Sequence, residues 1–339
     1  MKPQAETPDL PVAGRSLFQD GVRRFRSNRF AVLGVAVLLL EALLCGIGLF
    51  YATRKIEGSG AVAAARYEWI RPNRSADKNP AKAAPQLPSG GFSGEHPLGL
   101  NADGEETHLL GSDGLGRDYL ARLLYGGCVS LGIGLASAIT AALFGSLYGA
   151  VSGYAGGRID NLMMRVVEIL FSLPYMLLVV LMYHLMGGST GEGAKPLIAM
   201  FVAVASFNWM TEARVVRGQV MLLKDMPFIE AARAVGVPAH RILLVHMFPN
   251  VLGPIVVMGT LMVPQAILLE SFLSFLGIGI QAPMVSWGLM AADAVKTINT
   301  VENHWHLLIP PCAALAITLL ALNFVGDGLR DAFDPQTRR

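Results

Sequence analysis

Gly187 to Pro196, GGSTGEGAKP, is the stretch of the chain nearest to a nucleotide signature. A phosphate loop needs G-x-x-x-x-G-K-[ST], so that successive backbone amides and one lysine cradle the phosphates. Here Ala194 separates Gly193 from Lys195, and proline follows the lysine. No H-E-x-x-H pair and no G-x-S-x-G elbow is present. His184, His304 and His306 lack ligand spacing, so no metal site is expected. Cys45, Cys128 and Cys312 are odd in number and lie in or beside apolar runs, which gives no disulfide framework and favours packing as small hydrophobes. Covalent chemistry is therefore not expected of this chain, and it is read as a non-enzyme without a cofactor of its own. The remaining reactive groups are acids in apolar surroundings: Glu41, Glu168, Glu212 and Glu270. Glu168 is near Arg165 and Glu212 near Arg214, so ion pairing is expected for both.

The elements that must hold these acids are membrane spans. Of 339 residues, 53% are hydrophobic and 15% charged, against about 25% charged in soluble domains. Mean hydropathy is +0.48. Six apolar runs reach the roughly 20 residues that cross about 30 Å of hydrocarbon: Phe30–Tyr51, Ser130–Val151, Met163–Met186, Leu197–Val216, Val251–Phe275 and Leu307–Val325. The first is too long for a signal-peptide core and no small-residue cleavage site follows it, so it reads as an uncleaved span. The net charge of +2 leaves no basic face for nucleic acid.

Gly145, Gly149 and Gly153 in the second span form a small-xxx-small stripe that lets backbones approach closely. Pro174, Pro254 and Pro264 interrupt the third and fifth spans as kinks. Tyr183, Trp287 and Trp305 are expected at the outer interface, where amphipathic rings gather. Glu270, toward the outer end of the fifth span, is a candidate pathway or gate residue. Lysine and arginine cluster in residues 1–29 and in the loops after the second and fourth spans, which places both termini inside. Residues 52–118 then form a long outer loop, 119–329 the main transmembrane domain and 330–339 an inner tail. The outer loop contains a near-repeat, HPLGLNADGEE (His96 to Glu106) against HLLGSDGLGRD (His108 to Asp118).

The inner loop from Arg217 to Asn250 is too long for a turn and too polar to span. Pro227 can open a short helix, since a first-turn proline loses no helical hydrogen bond. Phe228 to Val235 favours helix, Gly236 permits a left-handed stop, and Pro238 starts a second helix reaching His246, with Pro249 ending it. Such a pair makes a compact knob for a groove on a partner, and Glu230 offers it a charge.

Glu230-Ala231-Ala232, Gly236, and then His246-Met247-Phe248-Pro249-Asn250 resemble the EAA motif of ABC importer permeases. That motif reads EAA, three residues, glycine, nine residues, then a hydrophobic-x-leucine-proline ending. The ending HMFPN is similar to the HxxPN variant of the dipeptide, oligopeptide and nickel permeases. LGSDGLGRDYLARLLYGG (Leu110 to Gly127) resembles the family's approach to its second span, with Ala121 where serine is usual and Gly127-Cys128 where alanine-arginine is usual. GYAGGRIDNLMMR (Gly153 to Arg165), SFLSFLGIGIQAPMVSWGLM (Ser271 to Met290) and NFVGDGLRDAFDP (Asn323 to Pro335) fit as well. The match is closest to the C-type subunit of oligopeptide importers.

The resemblance implies an all-α protein of about six transmembrane helices with the type I ABC importer transmembrane fold, in a bacterial cytoplasmic membrane. It implies a second permease subunit, two ATPase subunits that bind ATP and magnesium, and an external substrate-binding protein. Glu230, Ala231, Ala232, Arg233, Gly236, His246, Pro249 and Asn250 would couple to the ATPase. Gly111, Asp113, Gly116, Arg117 and Asp118 would lie on the binding-protein side. The long first loop departs from the common pattern and is expected to touch the binding protein. The alternatives are a nickel importer permease of the same superfamily and a proton-coupled secondary carrier. The latter would need a central titratable residue and often inverted repeats, and no inverted repeat is seen.

Overall fold

The computed structural model describes residues 17–53, 110, 119–189, 194–281, 284–297 and 305–333. Gly111, Asp113, Gly116, Arg117 and Asp118, the near-repeat, most of the outer loop, His304 and the tail beyond Phe333 lie outside the described residues. Among those described there is helix and no strand. The helices are α1 (Leu17–Ser27), α2 (Arg29–Thr53), α3 (Tyr119–Ala155), α4 (Gly157–Ser172), α5 (Tyr175–Leu185), α6 (Lys195–Lys224), α7 (Pro227–Ala234), α8 (Ala239–Arg241), α9 (Phe248–Phe275), α10 (Trp287–Thr297) and α11 (Trp305–Phe333). Five helical stretches are long and apolar enough to cross a membrane, and α4 with α5 makes a sixth if the bent pair is one span.

The third span is therefore not straight: its halves meet at 89°. Pro174 supplies no amide hydrogen and clashes with a helical conformation of the residue before it. Leu173 accordingly leaves the helix at φ −84°, ψ 144°. Pro254 and Pro264, by contrast, sit inside a helix that runs on unbroken from Phe248 to Phe275.

The predicted glycine stripe is the seam between α3 and α6. A Cβ added at Gly145 would lie 2.5 Å from the Trp209 carbonyl oxygen, and one at Gly153 would lie 2.8 Å from that of Arg217. At Gly149 it would overlap the Ala213 carbonyl. Glycine every fourth residue keeps one face bare of side chains, so the two backbones touch over two turns.

Three expectations about polar and aromatic residues are corrected. Glu212 does not pair with Arg214: residues two apart leave a helix on different sides. Glu212 is fully buried over Gly145, and among the described residues neither carboxyl oxygen has a hydrogen-bond partner. Arg214 instead stacks on Phe171, 4.1 Å from the ring centroid. Glu168 and Arg165, three apart, do pair at 3.6 Å. Tyr183 and Trp287 are not at a lipid interface but in the main core. The Tyr183 hydroxyl reaches the carbonyl oxygens of Gly188 and Gly279 at 2.8 and 2.7 Å, and Trp287 Nε1 donates to that of Leu123 at 2.9 Å. Trp305 alone of the three is exposed.

Candidate coupling site

The loop after α6 folds as the sequence dictates. Met226 is extended, and its carbonyl accepts from the amides of Ile229 and Glu230 at 2.9 and 3.2 Å, so Pro227 enters the first turn of α7 without loss. At the other end Gly236 takes φ +83°. The Val237 amide donates back to the Ala232 carbonyl at 3.0 Å and the Gly236 amide to that of Arg233 at 2.9 Å. This wrap-around stop needs the left-handed glycine. Pro238 is extended and opens α8, its carbonyl accepting from the amides of Arg241 and Ile242.

One expectation fails here. Pro249 does not end the second helix. The chain passes from α8 through a π-helical segment, Ile242–Met247, into α9 without a break. Proline sits in the first turn of α9, and the wider π turn ahead of it accommodates the missing amide donor. The side-chain amide of Asn250 donates to the His246 carbonyl at 2.6 Å, so these two motif residues brace the same turn. The second half of the knob is therefore continuous with the fifth span, and α7 joins it through the turn at Gly236.

A separate small core sits beneath the knob. Ile229 of α7 and Ile242 and Met247 of the π segment are buried with Ala150, Val216, Val220 and Val251. Ala232 faces this core, whereas Glu230, Ala231, Arg233 and Gly236 face outward. The outward surface also carries Met226 (45% exposed), Phe228 (44%) and Val235 (84%). Large apolar side chains exposed on a polar-flanked projection mark an interaction surface. Arg233 and Lys224 hang over the Tyr154 ring at the end of α3, at 5.6 and 5.9 Å from its centroid. All eight predicted coupling residues thus belong to one unit, split between the knob and its stem.

Sequence reasoning missed the tie between this unit and the rest of the bundle. Asp160, at the start of α4, is 5% exposed. Its carboxylate accepts from Ser152 Oγ at 2.6 Å and from Arg217 Nε and Nη2 at 2.5 and 2.6 Å. The fork geometry suits a bidentate guanidinium–carboxylate pair. It locks α3, α4 and α6 together about two turns before α6 ends at Lys224. The acid inside GYAGGRIDNLMMR was a signal, but nothing local names a partner 57 residues away.

Glu270, the candidate pathway or gate residue, is fully buried at the opposite end of α9. Ser130 and Ser274 donate to its two oxygens at 2.9 Å each, and Ser271 donates at 3.3 Å. Ser274 Oγ in turn accepts from the Ile280 amide at 3.0 Å, and Ser130 Oγ from the Trp287 amide at 3.3 Å. The acid therefore fastens the hairpin after α9 and the start of α10 to α3.

Residues 141–339 match the model of the family described as the binding-protein-dependent transport system inner membrane component. The chain belongs to that family. Residues 16–58 also match the N-terminal transmembrane domain of oligopeptide transport permease C. Among relatives of this inner-membrane component, the oligopeptide transport system permease of Escherichia coli K12 is 40% identical over 97% of this chain and 94% of its own length. That of Haemophilus influenzae is 38% identical over 97% and 92%. The dipeptide transport system permease of Bacillus subtilis is 37% identical over 96% and 87%. A chain of the MetNI methionine ABC transporter, solved in inward-facing conformations, superposes with TM-score 0.50 at 20% identity, covering 62% of this chain and 96% of that one. The fold is thus that of a type I ABC importer transmembrane domain, and the chain is a permease subunit.

Proposed function

We propose that this subunit moves peptides inward across the cytoplasmic membrane, driven by two ATPase subunits that bind ATP and magnesium. It pairs with a second permease subunit and receives substrate from an external binding protein. Both termini and the knob face the cytoplasm, in keeping with the basic residues clustered there. The α7 knob enters a groove on one ATPase. The observation that carries this reading is the knob itself: Val235 and Phe228 stand exposed on a projection whose underside, through Ile229, is fully buried. The projection is thus stiff on one side and unfinished on the other. Closure of the ATPases would push on the knob, and the continuous helix through the π segment into α9, together with the Asp160–Arg217 fork, would carry that push into the spans.

Relatives named for oligopeptide and dipeptide transport favour peptide as the cargo. The test is uptake of labelled dipeptide, pentapeptide and nickel in cells with and without this chain. Loss of pentapeptide uptake alone supports the reading. Loss of nickel uptake instead would keep the mechanism and overturn the cargo.

A further inference from the structure

A cavity of about 440 Å³ opens where α1 crosses the bundle, and it takes no part in the coupling unit. Phe25 and Arg26 of α1, Val32 and Val35 of α2, Val256 of α9 and Phe333 of α11 line it. Its walls are apolar except for Arg26. Val32 and Val256 are 44% and 43% exposed, on the flanks of two membrane-spanning helices, so the mouth opens toward hydrocarbon. An apolar chain entering such a space restores van der Waals contacts that its lining otherwise forgoes on one side. Water is no better an occupant, since the walls offer it almost no hydrogen-bond partners.

The helix over the cavity says what chemistry enters. Along α1, LFQDGVRRFRS, Gly21 and Phe25 are one turn apart and press on Phe333 and Gly328 of α11. Arg23 and Arg26 are exposed on the outer side, and Arg29 follows immediately. Asp20 is the one acid in α1 against three arginines. α1 ends at Ser27, just before the first span opens at Arg29, so it lies beside the end of that span, apolar toward α11 and basic on its other side, as interfacial helices are. Basic clusters beside the end of a span attract anionic phospholipid.

We infer that the cavity holds an acyl chain of one anionic phospholipid, with Arg26 at its rim donating to the phosphate. The bound lipid completes the packing of α1 against α2, α9 and α11.

The test is native mass spectrometry of the full chain, purified with its partner subunits and equilibrated in mixed micelles of phosphatidylglycerol and phosphatidylcholine. One phosphatidylglycerol is expected to stay bound through gentle activation. Val32→Trp and Val256→Trp fill the cavity from opposite walls at already exposed positions, and each should remove that lipid. Arg26→Gln should keep a lipid but lower the preference for phosphatidylglycerol about fivefold. Inorganic phosphate at millimolar concentration should not displace it. Equal retention of phosphatidylcholine by the unaltered chain would overturn the inference. So would undiminished phosphatidylglycerol in both tryptophan variants, or displacement by phosphate, which would reduce the site to a surface anion contact.

Discussion

Arg217→Met tests whether the fork on Asp160 holds the coupling unit in place. The native carboxylate is 6% exposed and accepts three hydrogen bonds, two of them from Arg217. Methionine keeps the aliphatic stem but leaves the carboxylate with Ser152 alone. Breaking a buried pair from one side costs about 3–5 kcal/mol. Arg217 is 29% exposed, so water reaches part of the vacated space and the lower end, about 3 kcal/mol, is the expectation. Asp160→Asn leaves a partly solvated guanidinium and a neutral amide that still serves Ser152, at about 1.5 kcal/mol. The double variant removes both charges and should lose only about 2 kcal/mol, a coupling of roughly 2.5 kcal/mol. Equilibrium unfolding of the purified chain in mixed micelles, monitored by tryptophan fluorescence, measures all three. Additivity to within about 0.5 kcal/mol would refute the account of the fork, as would a single-variant loss below about 1 kcal/mol for Arg217→Met.

Other positions give sharper contrasts. Gly149→Val drives a side chain into the Ala213 backbone and should cost roughly 3 kcal/mol. Gly132→Ala, where an added Cβ meets nothing within 4 Å among the described residues, should be neutral or slightly stabilising by thermal unfolding. Glu270→Ala strips the acceptor from buried serine hydroxyls and should destabilise by roughly 2–4 kcal/mol, whereas Glu270→Gln retains most of the network and should cost under about 1.5 kcal/mol. Equal melting temperatures for the two Glu270 variants would contradict the serine cage. Phe228→Asp with Val235→Asp should leave the melting temperature within about 2 °C, because both side chains are exposed. It should nevertheless abolish co-purification of the ATPase subunits.

What was legible in the sequence was local. Pro227, Gly236 and Pro238 each fix one backbone angle or remove one donor, and those constraints alone define the knob. The spans were legible because length and apolarity suffice, yet their ends were not. α3 already includes Tyr119 and Arg122, well ahead of Ser130, and Arg122 is buried against Asp293, whose position 171 residues along the chain no window can see. Pro174 signalled a kink, but only the packing of α4 and α5 separately sets the angle at 89°. α10 was missed because eleven residues are too few to span, and its apolar face is buried by α3, α9 and α11 rather than by lipid. Glu212 departs from its expected pairing for a geometric reason: sequence proximity to Arg214 is not proximity on a helix. Pro249 continues a helix it is expected to end because a π segment, which has no sequence signature of its own, absorbs it.

In the proposed coupling, the turn at Gly236 transmits ATP-driven motion from α7 to the spans. Gly236→Pro tests it directly, because φ of +83° is closed to proline and the Val237-to-Ala232 stop would be lost. In membrane vesicles carrying the whole transporter, the variant should be inserted at the normal level and should accumulate no labelled peptide on ATP addition. ATP-driven uptake that persists at the unaltered rate would contradict the account.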